Sequence, residues 1–106
     1  MGHNMPKLYE YLGLEVLFYA DEHEPIHVHG RYQNSEIKAE LVVDDNNEVV
    51  EIRFKPVRGK KSLQQPHLSN FKKLLAHKAD EIVQKWNGFF VHGRQIKLQR
   101  ITRRLK

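Results

Sequence analysis

The chain contains no cysteine, which excludes a disulfide framework, a thiolate metal site and a thiol nucleophile. It also lacks any run near the roughly 18 apolar residues that a membrane-spanning helix requires. No apolar core of a secretion signal follows the first residues. A soluble, cytoplasmic protein with no membrane partner is the expectation, with residues 1–4 read as a leader outside the domain. Zinc-finger spacing, a glycine-rich phosphate loop and the aromatic signature of RNA-recognition folds are missing as well, so sequence-specific recognition of nucleic acid has no support. Neither repeats nor low-complexity segments interrupt the chain. Its 106 residues, 40% of them apolar, suffice for one domain with a single core.

Acidic residues are scarce in the second half. Residues 1–50 carry 3 basic and 10 acidic side chains, whereas residues 51–106 carry 15 basic and 3 acidic, for a net charge of +5. Two clusters dominate this polarity: Arg53, Lys55, Arg58, Lys60 and Lys61 in the middle, and Arg94, Lys97, Arg100, Arg103, Arg104 and Lys106 at the end. Such a field favours RNA or DNA, or a small acidic partner protein. Folding could also neutralise part of it by setting the acidic half beside the basic half.

Hydrophobic periodicity places the elements. Residues 14–20 read as a strand ending in the turn-rich Asp21-Glu22-His23-Glu24-Pro25. Residues 26–32 alternate, with Ile26 and Val28 on one face and His27, His29 and Arg31 on the other, and with Gly30 marking a bulge or a close backbone approach. Residues 36–43 turn Ile37, Ala39, Leu41 and Val43 inward and Glu36, Lys38 and Glu40 outward. After the turn Asp44-Asp45-Asn46-Asn47, residues 48–55 return with Val50, Ile52 and Phe54 inside. These segments predict a three- to four-stranded antiparallel meander. Beyond Pro66, Leu68, Phe71, Leu75, Ala79, Ile82 and Trp86 recur at helical spacing up to the expected stop at Asn87-Gly88. The fold class is therefore α+β, with one long amphipathic helix covering the meander and a basic C-terminal extension. Residues 5–90 form the domain, and residues 91–106 form a basic tail or, over 95–99, a short edge strand.

Seven histidines are present, three of them within Glu22-His23-Glu24-Pro25-Ile26-His27-Val28-His29. Two positions apart on a strand, His27 and His29 project from one face with their Cβ atoms about 7 Å apart. Rotamer choice can close both onto a divalent metal such as zinc, with His23 as a third nitrogen and Asp21, Glu22 or Glu24 as a carboxylate ligand or supporting partner. A metal-free arrangement also fits: two imidazoles as general base and general acid, with Arg31 clamping the phosphate of a phosphodiester, as in a small ribonuclease. So does a purely structural one, with outward-facing histidines hydrogen-bonded to carboxylates or water. His67, His77 and His92 read as surface residues, and Phe71 and Trp86 as core anchors.

The run from Glu22 to His29 resembles the signature of a family of small prokaryotic proteins catalogued as domain of unknown function 4160. Met5-Pro6, the strand Val16-Leu17-Phe18-Tyr19, the His-Val-His segment and a helix ending near Trp86-Asn87 match its pattern, with Ile26 where many members carry proline. The resemblance covers about residues 5–90. It implies a common role for His23, His27 and His29, and a partner protein in a toxin–antitoxin or regulatory pair. Two functions follow as expectations. One is a binding module for nucleic acid or protein, acting through Arg53, Lys55, Arg58, Lys60, Lys61, Arg94, Lys97, Arg100, Arg103 and Arg104. The other is a histidine-dependent phosphodiester hydrolase using His23, His27, His29 and Arg31.

Overall fold

A tight hairpin opens the sheet. β1 (Lys7–Tyr11) and β2 (Leu14–Leu17) are joined by Leu12-Gly13, whose φ angles are 52° and 83°. Two consecutive left-handed residues turn the chain with the twist that antiparallel strands prefer. Leucine at the first of them disguises that turn, and β1 went unrecognised in the sequence for that reason. The computed structural model describes residues 5–22 and 24–106; the expected leader, residues 1–4, and His23 lie outside the described residues.

β3 (His27–Tyr32), β4 (Ser35–Val43) and β5 (Val49–Pro56) continue antiparallel from β2. α1 (His67–Phe90) then crosses the sheet, and β6 (Gln99–Ile101) lies parallel to β1. The strand order is β5-β4-β3-β2-β1-β6. The α+β class with one helix stands, but the expected three- to four-stranded antiparallel meander is a six-stranded mixed sheet. Parallel pairing needs a long crossover, and α1 supplies it. The edge strand sits at 99–101 rather than 95–99. Ile96, Ile101 and Leu105 pack against the core, and the Leu105 amide donates to the Tyr11 hydroxyl at 2.8 Å. The basic extension is thereby bound to the domain.

Register divides the sheet into two faces, because directly paired residues point the same way. Leu14, Val16, Val28, Gly30, Ile37, Ala39 and Leu41 meet α1 through Phe71, Leu74, Leu75, Ile82 and Trp86, forming the core. Gly30 marks a close approach: a Cβ there would stand 2.9 Å from the Phe71 ring. Val50, expected inside, is 62% exposed. The β4–β5 register slips between Val42 and Val43, so that Val49 pairs with Val43 and packs inward instead.

α1 does not stop at Asn87-Gly88 but runs on to Phe90. Phe89 and Phe90 pack against Phe18, and Phe90 against Trp86. That burial outweighs the roughly 1 kcal/mol that glycine costs inside a helix. The returning chain lays the Arg94 side chain alongside Gly88. The reversal comes at Gly93, with φ +66°.

Candidate metal centre

The face of the sheet turned away from α1 is not open at β3. Beyond β2 the chain curls back over it, stacking Tyr19 on His29 with ring centroids 3.9 Å apart and setting Glu22 over both histidines. His27 and His29 are each 2% exposed, and Glu36 and Glu40, expected outside, are buried too. The solvated surface expected for His27, His29 and Arg31 is therefore covered at the two histidines, while Arg31 remains partly exposed. An aromatic lid and charge-paired neighbours let polar side chains leave water there. At the end of its strand, the His27 ring also meets Trp86, with centroids 5.4 Å apart.

Hydrogen bonds orient the two imidazoles. His27 Nδ1 lies 2.7 Å from the Pro25 carbonyl, which can only accept, so Nδ1 carries the hydrogen. His29 Nδ1 lies 2.9 Å from Oε2 of the buried Glu36 carboxylate, to which the Tyr19 hydroxyl also donates. A neutral imidazole has one donor and one acceptor, so each Nε2 presents a lone pair. Both lone pairs face the same acceptor, Glu22 Oε1, at 3.1 Å from His27 and 3.4 Å from His29. Acceptors that close repel unless a cation, either a proton or a metal ion, lies among them. Burial, followed by the adjacent His27, pushes the His29 pKa below the ordinary histidine value, against the opposing pull of Glu36 and Glu22. Burial and the bond to Glu36 hold Tyr19 well above the usual tyrosine pKa, so it remains a phenol that donates.

The spacing suits a metal ion. One donor atom from each of Glu22, His27 and His29 falls within 4.8 Å of the others. Tetrahedral ligands about 2.1 Å from zinc stand about 3.4 Å from one another, close to the separations of Glu22 from the two histidines. The supporting contacts are those that metal-binding histidines generally make, with the remote nitrogen donating to a carboxylate or a backbone carbonyl. Oε1 of Glu36 is buried with no partner among the described residues. Of the ligands expected from the sequence, His27 and His29 converge, while His23 lies outside the described residues. Glu22, named there only as one of several acidic candidates, completes the set.

Beside this centre opens a cleft of about 460 Å³ lined by Tyr19, Glu22 and His29 together with Lys38, Arg58 and Lys60. Arg31 does not line it; its guanidinium bonds Glu15 at 3.1 Å. Glu15 is shared with Lys7, whose ammonium, followed by Arg31, draws the Glu15 pKa below the usual carboxylate value against partial burial. Arg53 pairs with Glu51, Lys55 with Glu40 and Arg100 with Glu10. The two basic clusters lie at opposite edges of the sheet, Arg58, Lys60 and Lys61 beyond β5 and Arg100, Arg103 and Arg104 along β6 and after it. Arg94 and Lys97 flank α1 in a separate depression with Glu81 and Lys85. Sequence reading missed Tyr19, Glu36 and Lys38 as members of the site. Lys38 was discoverable, since it alternates with Glu36 and Glu40 on the face that the histidines share.

The family described as "Domain of unknown function (DUF4160)" matches residues 13–87. That span contains every residue of the centre and of the cleft, and leaves out β1, β6 and the tail. No curated protein matches the chain, and no solved structure does. Among the described residues no helix is long and apolar enough to cross a membrane.

Proposed function

The chain belongs to the DUF4160 family, and we propose that it is a metal-dependent hydrolase whose divalent ion is held by Glu22, His27 and His29. One observation carries the reading: with both Nδ1 atoms engaged as donors, two imidazole lone pairs and a carboxylate oxygen converge on one point. Two histidines and a glutamate form a donor set used by catalytic zinc sites, which keep a further position for water. A bound divalent ion supplies a Lewis acid that brings the pKa of a coordinated water toward 7. The chain's own contribution is orientation. Glu36 and the Pro25 carbonyl fix the ring tautomers, Tyr19 closes one side of His29, and Glu22, with 46% of its side chain exposed, leaves the solvent side accessible.

The test is elemental analysis of protein purified without a histidine tag, followed by zinc titration. One ion per chain is expected in the parent, with binding at least about tenfold weaker in Glu22→Gln. That variant alters a partly exposed side chain and leaves the fold intact. A folded parent that takes up no metal, or equal affinity in Glu22→Gln, overturns the reading. Stoichiometric iron in place of zinc redirects it to oxygen chemistry, which the same donor set also serves.

A second reading, a binding module for nucleic acid or an acidic partner, draws on the absence of ion pairs at Arg58, Lys60 and Lys61 among the described residues. It expects salt-sensitive retention on RNA that is lost when Lys60, Lys61, Arg100 and Arg103 are reversed in charge. Retention unaltered by those changes removes it.

A further inference from the structure

We propose that the cleft beside the metal centre is a phosphate-ester pocket, in which Lys38, Arg58 and Lys60 hold the phosphoryl oxygens of a small, nucleotide-sized substrate. The proposal rests on the metal reading, because the ion that Glu22, His27 and His29 would hold supplies the remaining positive charge beside the cleft.

Most cations on this face and its edges are answered by a carboxylate: Lys7 and Arg31 by Glu15, Arg53 by Glu51, Lys55 by Glu40 and Arg100 by Glu10. Lys38, Arg58 and Lys60 form no ion pair with any described residue, although they line a single cleft. The carboxylate lining that cleft is Glu22, which a bound metal ion would neutralise. Three unanswered cations and a divalent ion around one concavity favour an anion carrying two charges, such as a phosphate monoester.

The cations are held in place. Lys38 stands directly opposite His29 in the β3–β4 register, so it rises from the sheet beside the metal ligand. Arg58 and Lys60 sit on the segment after β5, turned by a Lys60 amide to Val57 carbonyl bond of 3.0 Å and by Gly59 at φ +78°. That segment is then tied to β4: the Glu36 amide donates to the Lys61 carbonyl at 2.8 Å, and Ser35 bridges to Lys61. Glu36 therefore orients His29 through its side chain and anchors the basic segment through its backbone. One residue thus links the metal ligand His29 to the segment that carries Arg58 and Lys60.

Shape favours a small ester over a polynucleotide. A volume of about 460 Å³ falls within the range of small-molecule pockets. An extended strand would need a continuous basic track, but the second cluster lies along β6, three strand spacings or about 14 Å beyond β3, and Lys7 and Arg31 on β1 and β3 are paired with Glu15. The implied reaction is hydrolysis. The water oxygen forms a new bond to phosphorus, the ester P–O bond breaks with its electron pair going to the leaving oxygen, and a water proton ends on that oxygen.

The experiment titrates zinc, and then orthophosphate as the probe, into the full chain and into a variant combining Lys38→Ala, Arg58→Ala and Lys60→Ala. All three side chains are at least partly exposed, so the variant keeps the fold, which circular dichroism verifies. The expected result is unchanged zinc stoichiometry in both proteins, with orthophosphate bound to the zinc-loaded parent and bound about a hundredfold more weakly by the variant. Zinc binding without orthophosphate binding, or equal orthophosphate affinity in the two proteins, overturns the pocket and leaves the metal reading standing. A parent that binds no zinc overturns both. Tight binding of an RNA oligonucleotide that persists in the triple variant but is lost on charge reversal at Arg100 and Arg103 also overturns the pocket, in favour of a nucleic-acid surface at the opposite edge.

Discussion

The two faces of the sheet are both buried at β3, and they are buried by different means. On one, Gly30 and Val28 lie beneath the apolar stripe of α1, and water is excluded by close packing. On the other, His27, His29 and Glu36 lie beneath Tyr19 and Glu22, and the polar atoms that leave water are held by hydrogen bonds, with Glu36 Oε1 alone lacking a partner among the described residues. The first face stabilises the fold by area alone. The second reaches comparable burial at higher cost, since an unpaired buried polar group is penalised by about 1–3 kcal/mol. A protein that buries two histidines and a glutamate side by side in a domain this small is holding a chemical arrangement in place.

The largest effect is expected where packing acts alone. Phe71→Ala removes the ring that covers Gly30 and meets Phe54 edge-on, and should cost about 3–5 kcal/mol in urea denaturation. A loss below about 1 kcal/mol would show that α1 is not the principal cover of that face. Next comes metal. Zinc at a hundred times its dissociation constant should stabilise the parent by about 2.7 kcal/mol and Glu22→Gln far less, read as a shift of the thermal midpoint. Equal shifts in the two proteins would place the ion elsewhere.

His29→Ala probes the second face without metal. It leaves the buried Glu36 carboxylate with only the Tyr19 hydroxyl, at a cost of about 1–3 kcal/mol. Adding Glu36→Leu should recover part of that loss, because removing both partners of a buried pair is cheaper than removing one. A double variant less stable than His29→Ala would mean that the carboxylate serves another contact.

The asymmetry between the faces also explains what could be read from the sequence. Alternation and the helical stripe revealed four strands, α1 and the core anchors, because apolar burial imposes a period. The pairing of His27 with His29 followed from the same rule. What stayed hidden depends on long-range closure. Nothing local in Tyr19 or Glu22 says that the chain folds back over β3, and nothing in Lys60 or Lys61 says that this segment is tied to Ser35. β1 was concealed by a leucine in a turn that usually carries asparagine or glycine, and β6 exists only because β1 offers it an edge.

That edge supplies the smallest predicted effect and the sharpest control. Arg100 bonds Glu10 at 2.9 Å across the β1–β6 pair, with 71% of its side chain in solvent, so the attraction is screened. Arg100→Ala should cost no more than about 1 kcal/mol, shrinking further at high salt, and should leave zinc affinity unchanged. β6 lies at the far edge of the sheet from the cleft, three strands from β3. A change in zinc affinity in this variant would mean that the appended strand and the metal centre are coupled through β1 and β2. The covered face would then be a single mechanical unit, and its metal ligands could not be assigned independently of the edges that frame them.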